Sequence, residues 1–548
     1  MFMNPKPPTA TVGFHWANVH HRRKESRMLD SSAVQIPPSE GDPSTVPVWV
    51  QRWGLWAGLL VLVLAGGWVA WRPGASEADR LAPVLAFTVI WWLTEPIPIA
   101  ATGLLSVVLA VAFGAVPVPA SGNSSVARVV LAPFADPSVF FLLGGMFLAR
   151  GMVRHGLDRR LALGVLSSAW AGRSPLRLLL AIGVAVGSVS MFISNTAATA
   201  MVYPVVLGMI GVLGQSAGPH FARGPFASCL LLMTAYSASI WGVATPIGTA
   251  TNVVAMGFLR RPEFLGISVD FGRWVIVGLP IALVTFLGTT VWLWWGLARS
   301  GSARLDLLQL GDYLRAQRRD LGPWKQGEIN TLLVLLLMIV LWVSPSLLRL
   351  LDQGSAADAV QARFPEEVVA LLAPVLLFLL PAGRRGHGTL EPEDFTRIDW
   401  STILLFGSGL SLGSLLFQTG LAKRVGTGIM DLVGTHDPWI LAGMAGLGAI
   451  LLSEFTSNAA TASTLLPVTN ALCQSAGADP IPALFAVTMA ASLGSALPVS
   501  TPPNAIVYGS GLIPVRRMVR AGIGVDVVGW FVVIVVLWSA SQLGWAPS

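Results

Sequence analysis

Two short polar clusters interrupt otherwise apolar stretches of this chain: Ser190-Met-Phe-Ile-Ser-Asn-Thr196 and Ser453-Glu-Phe-Thr-Ser-Asn-Ala459. An unpaired hydroxyl or amide in hydrocarbon costs several kcal/mol, so a lipid-facing helix excludes such clusters. Two of them in one chain imply a polar cavity, and they read as the two halves of one ion and substrate site. Composition supports a lipid setting. The 548 residues are 54% hydrophobic and 11% charged, whereas soluble domains carry about 25% charged residues. Apolar runs recur near the ~20 residues that cross a bilayer. The expected fold class is an all-α polytopic membrane protein.

A formal charge of +7 raises the question of nucleic acid. The basic residues fall instead in short loops between apolar segments, which signals topology rather than a polyanion-binding face. Cys229 and Cys473 both lie in apolar segments, so no disulfide framework is indicated. Residues 1–52 read as a polar, Pro-rich cytoplasmic extension with a basic cluster at Arg22, Arg23, Lys24 and Arg27. Met28 is an alternative start, and no function is placed on residues 1–27.

The remaining chain divides at 53–172, 173–298, 299–328, 329–436 and 437–548. The segment at 299–328 is a basic cytoplasmic linker between two halves. With the N-terminus inside, the Arg-rich segments at 154–177, 299–325, 384–397 and 516–520 all fall inside; Lys423 and Arg424 break the pattern. The halves repeat. Ser190, Ser194, Asn195 and Pro204 match Ser453, Ser457, Asn458 and Pro467 at an offset of 263. Phe141-Leu-Leu-Gly144 matches Leu404-Leu-Phe-Gly407, and Ser174-Pro175 matches Asp437-Pro438, at the same offset. Further on, Pro246-Ile-Gly-Thr-Ala-Thr-Asn252 matches Pro498-Val-Ser-Thr-Pro-Pro-Asn504 at 252. Each copy holds five spans plus a hairpin, about 11 transmembrane helices with the first span at 53–71 included, and an odd count inverts the second copy. Inverted repeats with paired helix breaks are the pattern of secondary transporters.

A broken helix leaves unpaired N–H groups at one end, which attract anions, and unpaired C=O groups at the other, which ligate hard cations such as Na⁺. Ser and Asn add neutral oxygens and amide donors. The hairpin cores lack Lys and Arg. A bound anion would take its positive charge from helix ends and co-bound cations, which favours cation-coupled anion transport.

The blocks Trp91-Trp-Leu-Thr-Glu-Pro-Ile-Pro98, Leu142-Leu-Gly-Gly-Met146, Ser194-Asn-Thr196, Ser453-Glu-Phe-Thr-Ser-Asn458 and Thr501-Pro-Pro-Asn504 resemble the divalent anion:sodium symporter family, in order from about residue 53 to 543. The resemblance implies a homodimer built on scaffold helices. Its transport domain, of two re-entrant hairpins and two broken helices, moves as an elevator carrying di- or tricarboxylate, or sulfate, with Na⁺. It implies a first sodium site at Ser190, Ser194, Asn195 and Gly248, and a second at Ser453, Thr456, Asn458 and Ser500. Anion contacts would come from Asn195, Thr196, Asn458, Thr501 and Pro502. Two positions depart from the family pattern: Ala459 replaces a hydroxyl residue, and Gly-Thr-Ala-Thr-Asn stands where Gly-Thr-Pro-Pro-Asn is more typical.

The expectation is therefore a multi-pass bacterial inner-membrane symporter, not an enzyme, carrying a small dianion, best a C4-dicarboxylate such as succinate, with Na⁺ as coupling ion. Sulfate or citrate transport, sodium-independent exchange, and cation/proton antiport are the alternatives. Glu454 either tunes the second cation site or makes a structural hydrogen bond to the hairpin, while Glu95 reads as structural or interfacial. Trp91, Trp92 and the cluster from Trp292 to Trp295 read as interface anchors. Gly409-Leu-Ser-Leu-Gly413 matches a nucleophile elbow, but its apolar setting and the placement of His155, His220, His387 and His436 at segment ends or in loops argue for packing.

Overall fold

A computed structural model describes residues 48–117, 125–218, 220–299, 305, 307–383 and 387–545. The basic cluster at Arg22 to Arg27 and the alternative start at Met28 lie outside them. Among the described residues the regular structure is helical, apart from one isolated bridge between Pro381 and Gly388.

The described residues open with α1 (Val48–Trp71), α2 (Glu77–Thr94) and α3 (Ile99–Ala112). Ser76 and Asp79 form a reciprocal capping box at the start of α2, with the Ser76 N–H donating to Asp79 at 2.9 Å. The helix ends on Glu95, which adopts a left-handed φ of 45° and donates its N–H to the Trp91 carbonyl. Pro96 and Pro98 then prevent continuation. Trp91 and Trp92 depart from the expectation of interface anchors: both are buried, Trp91 against Phe87, and Trp92 donating Nε1–H to the Ile99 carbonyl at 3.1 Å. Trp292 and Trp295 are exposed.

Next come α4 (Val126–Leu131), α5 (Pro137–His155) and α6 (Leu157–Leu166), then the first hairpin, α7 (Pro175–Ser190) and α8 (Asn195–Ala217). Ser174 caps α7, with Pro175 in its first turn. A broken pair follows, α9 (Pro225–Gly242) and α10 (Ala250–Arg260), and then α11 (Phe271–Leu293). Helix α9 is buried on nearly every face and packs against α7, α8 and α11, as an all-round apolar helix must.

The linker contains α12 (Leu307–Arg319), a helix that the density of charge in the sequence obscures. It buries Leu310 and Leu314 and packs on α8 and α6. The second half runs through α13 (Gln326–Leu350), α14 (Gly354–Arg363), α15 (Glu366–Leu379), α16 (Trp400–Gln418) and α17 (Leu421–Val433). Its hairpin is α18 (Pro438–Ser453) and α19 (Asn458–Ala476), with Asp437 capping α18 through bonds of 2.8 and 2.9 Å. The second broken pair is α20 (Ile481–Ala490) and α21 (Pro502–Tyr508), and α22 (Val515–Gln542) closes the described chain.

Seven helical stretches among the described residues are long and apolar enough to cross a membrane, while α3, α7, α18 and α20 are apolar but shorter. The last three are short for one reason: each stops where the sequence turns polar. The basic segments gather together. Arg160 pairs with Glu328 at 3.0 Å, Arg154 with Glu391 at 2.6 Å, and Arg318 donates to Ser167 at 3.3 Å. Arg424, which breaks the charge pattern, is neutralised by Asp79 at 2.7 Å.

Candidate functional site

Both polar clusters are turns between helices. In the first, the Ser190 hydroxyl lies 2.9 Å from Asn195 Oδ1 and 2.7 Å from the Ala238 carbonyl on α9. In the second, the Ser453 hydroxyl lies 2.8 Å from Asn458 Oδ1 and 2.7 Å from the Ala491 carbonyl beyond α20. One hydroxyl hydrogen faces two acceptors in each case, so oxygen lone pairs outnumber protons. This neutral, oxygen-rich arrangement is the kind that unwound transporter helices offer to Na⁺. Ser194 and Ser457 cap the helices that follow, accepting from Ala197 N at 3.3 Å and Ala460 N at 3.2 Å.

The helix breaks are tied off by asparagines. Asn252 donates from Nδ2 to the carbonyls of Gly242 at 3.1 Å and Thr245 at 2.8 Å, and Asn504 donates to the Leu497 carbonyl at 3.0 Å. Close packing holds breaks and tips together. A Cβ on Gly242 would stand 2.5 Å from Asn195 Oδ1, and one on Gly494 would stand 3.1 Å from the Ser453 backbone. The halves differ at one level. Met191, which matches Glu454, offers only its carbonyl to Thr245. Glu454 instead accepts from Ala496 N at 2.8 Å, Leu497 N at 2.9 Å and the Ser500 hydroxyl, bracing the second break against its hairpin.

These elements meet at a cavity of about 480 Å³. Of the residues singled out from sequence, Ser194, Asn195, Thr196, Gly248, Asn458, Ser500, Thr501 and Pro502 line it. Ser190, Ser453 and Thr456 do not. The first two are buried behind the tips, and the Thr456 hydroxyl is engaged with the Leu452 carbonyl at 3.2 Å and with Thr461 at 2.8 Å. Helices α8, α10, α19 and α21 all begin at this cavity, and the first three bring unpaired N–H groups and positive dipole ends to it. Helix α21 opens on Pro502 and Pro503, which have no N–H, and its Asn504 N–H is bonded to the Thr501 hydroxyl. Thr249 and Thr501 stand at equivalent N-terminal positions before α10 and α21, Thr501 accepting from Asn504 N, and both line the cavity. Thr249 was legible in the repeat but not singled out.

Other lining residues come from distant parts of the chain: Met146 and Arg150 from α5, and Arg397, Asp399 and Thr402 around the start of α16. Arg150 pairs with Asp394 at 2.7 Å, and Arg154 pairs with Asp394 and Glu391. Burial pushes the Asp394 carboxyl up, but bonds from Glu391 N–H, Arg150 and Arg154 more than reverse this and leave it below its ordinary range. Arg154 and then His387 lower the Glu391 carboxyl. Asp526, an acid inside α22, accepts from Ser495 N at 3.0 Å. Its position in an apolar span was the signal that sequence reasoning passed over. Ser411, the centre of the elbow-like motif, is buried and donates to the Val130 carbonyl at 2.9 Å.

Residues 55–545 match the family model described as the sodium:sulfate symporter transmembrane region. The chain belongs to the divalent anion:sodium symporter family. The sodium-dependent dicarboxylate transporter SdcS of Staphylococcus aureus is 32% identical over 466 residues, 83% of this chain and 85% of the relative. The transporter of the same name from Staphylococcus saprophyticus is 31% identical over 474 residues, 84% and 86% of the two chains. Among solved structures, the Alcanivorax borkumensis YdaH transporter aligns with a TM-score of 0.49 at 13% identity, over 79% of this chain and 91% of that one. As a divalent anion:sodium symporter family member, the protein is a multi-pass membrane transporter.

Proposed function

We propose that this protein is a sodium-coupled symporter of small divalent anions, with a C4-dicarboxylate such as succinate as substrate, in a bacterial inner membrane. The observation that carries this reading is the convergence of three helix N-termini, those of α8, α10 and α19, and both Ser-Asn tips on one cavity. The N-termini supply positive potential for an anion. Behind the tips, the Ser190–Asn195–Ala238 and Ser453–Asn458–Ala491 oxygens supply neutral cation ligands, with Ser194 and Gly248, and Thr456 and Ser500, completing the two sodium sites. Asn195, Thr196, Asn458, Thr501 and Pro502 contact the anion. Binding sodium beside the anion offsets charge that neither tip can neutralise alone.

Transport proceeds by an elevator step in a homodimer. The hairpins and broken helices in 173–298 and 437–548 move against scaffold helices in 53–172 and 329–436, and the two halves form an inverted repeat. Sodium-dependent dicarboxylate transport by the Staphylococcus relatives supports the substrate class. Sulfate is the second reading, favoured by Ala459, which leaves one tip without the hydroxyl that Thr196 offers on the other.

Uptake of labelled succinate into proteoliposomes, with an inward Na⁺ gradient or with choline in its place, tests the proposal. Sodium-driven uptake blocked by malate is expected. Uptake indifferent to sodium would overturn the coupling, and uptake of sulfate alone would replace the substrate.

A further inference from the structure

Three charged side chains line the cavity: Arg150, Arg397 and Asp399. Two are already engaged. Arg150 is paired with Asp394, and Asp399 caps α16, accepting from Thr402 N at 3.2 Å and from the Thr402 hydroxyl at 2.5 Å. Arg397 is exposed at the end of the turn Pro392–Arg397 and makes no hydrogen bond or ion pair among the described residues. An arginine beside an anion cavity with all its guanidinium donors free is poised for a carboxylate, which it can bind through two parallel bonds. The remaining positive potential in the cavity comes from backbone N–H groups at fixed helix ends. These can hold one carboxylate at the tips but cannot extend to follow the rest of a longer dianion.

The geometry points to Arg397 as a specificity-determining residue that pairs with the substrate carboxylate projecting away from the Ser-Asn tips. This rests on the proposed dianion transport. Arg397 sits in the sequence just before α16, within the part assigned to the scaffold, whereas the tips belong to the hairpins. The substrate would thus be held from both parts at once, its first carboxylate by the hairpins and its second by the scaffold. Arg397 touches none of the oxygens assigned to sodium, so its loss should leave sodium binding intact.

The test is equilibrium binding of labelled succinate to the purified full-length protein in sodium, for wild type, R397Q and R397K, at low and high ionic strength. Loss of one charge-assisted, bidentate pair is expected to weaken succinate binding about tenfold in R397Q. R397K should recover part of the affinity, since it keeps the charge and loses the fork. The salt dependence of Kd should flatten in R397Q, while the sodium concentration for half-maximal binding stays unchanged. An equal Kd for R397Q and wild type overturns the assignment.

A second measurement does not depend on affinity. Cys229 and Cys473 are both buried, so alkylation of R397C reports on position 397. Saturating succinate should slow that alkylation, and an unchanged rate overturns the assignment. Failure of wild-type succinate transport in the sodium-gradient assay would instead count against the proposed function, which separates the two failures.

Discussion

Thr251 Oγ1 lies 2.7 Å from Ser492 Oγ, a direct bond between the broken helix of one half and that of the other. Both side chains are fully buried. The contact joins two segments far apart in sequence at the level where each leaves helical geometry, so it holds the two breaks in register. T251V keeps the shape and removes the hydroxyl, leaving Ser492 without this partner; a cost of about 1–3 kcal/mol is expected. S492A should cost a similar amount, and the double variant less than the sum. Thermal unfolding of the purified protein in detergent checks this, with additive losses arguing against a functional bond.

Asn195 and Asn458 each take part in a tip bond with a serine and also line the cavity. N195A and N458A should each reduce sodium-driven uptake to the level of empty vesicles, while membrane insertion and monodispersity persist. Wild-type uptake by either folded variant would remove that asparagine from the site.

The tips were legible because duplication at a fixed offset cannot arise from packing preference at one helix. The same repeat pairs Thr249 with Thr501. What it could not show is a contact that one half makes and the other does not. Arg397 reaches the cavity from a turn before α16, and Glu454 finds its donors at Ala496 and Leu497. Both relations depend on tertiary placement alone. The repeat also slips locally: Ser190 and Ser453 match at 263, yet their carbonyl partners, Ala238 and Ala491, are offset by 253 where the flanking block is offset by 252. Helix α12 was hidden for a different reason. Its two buried leucines are too few to stand out among the arginines of the linker.

Gly242 approaches the first tip so closely that any side chain must displace Asn195, since a Cβ would stand 2.5 Å from Oδ1. G242A should destabilise the protein by about 1–3 kcal/mol and abolish sodium-driven uptake. At Gly494 the nearest atoms are 3.1 Å away, so G494A should be milder and retain partial uptake. Equal rates for the two variants would contradict the asymmetry in packing.

The Arg150, Arg154, Asp394 and Glu391 cluster makes stability pH-dependent on its own account. Both carboxyls titrate below their ordinary values in the folded protein. Their contribution is therefore complete above the unfolded values, near pH 4, and is lost as pH falls through the lower folded values. D394N should have a lower Tm than wild type at pH 7, and the difference should shrink on acidification below about pH 4. A difference that stays constant across this range would show that Asp394 acts through packing rather than charge.

Ala459 faces the cavity at the position matching Thr196, which places a methyl group where the other tip presents a hydroxyl. A dicarboxylate held between the tips would thus have a side-chain hydroxyl on one side and none on the other. A459T restores the missing donor at a helix N-terminus, where a hydroxyl can reach a carboxylate without moving the backbone. The expected result is succinate affinity tighter by up to about tenfold, or ~1.4 kcal/mol, with sodium affinity unchanged. The same substitution should weaken sulfate binding if sulfate is the natural cargo, because the smaller anion would lose room at that tip. Competition of succinate and sulfate for wild type and A459T, measured in one sodium-driven uptake assay, separates these outcomes. A shift toward succinate assigns the tip to a carboxylate, and a loss of sulfate without that gain assigns it to the smaller anion.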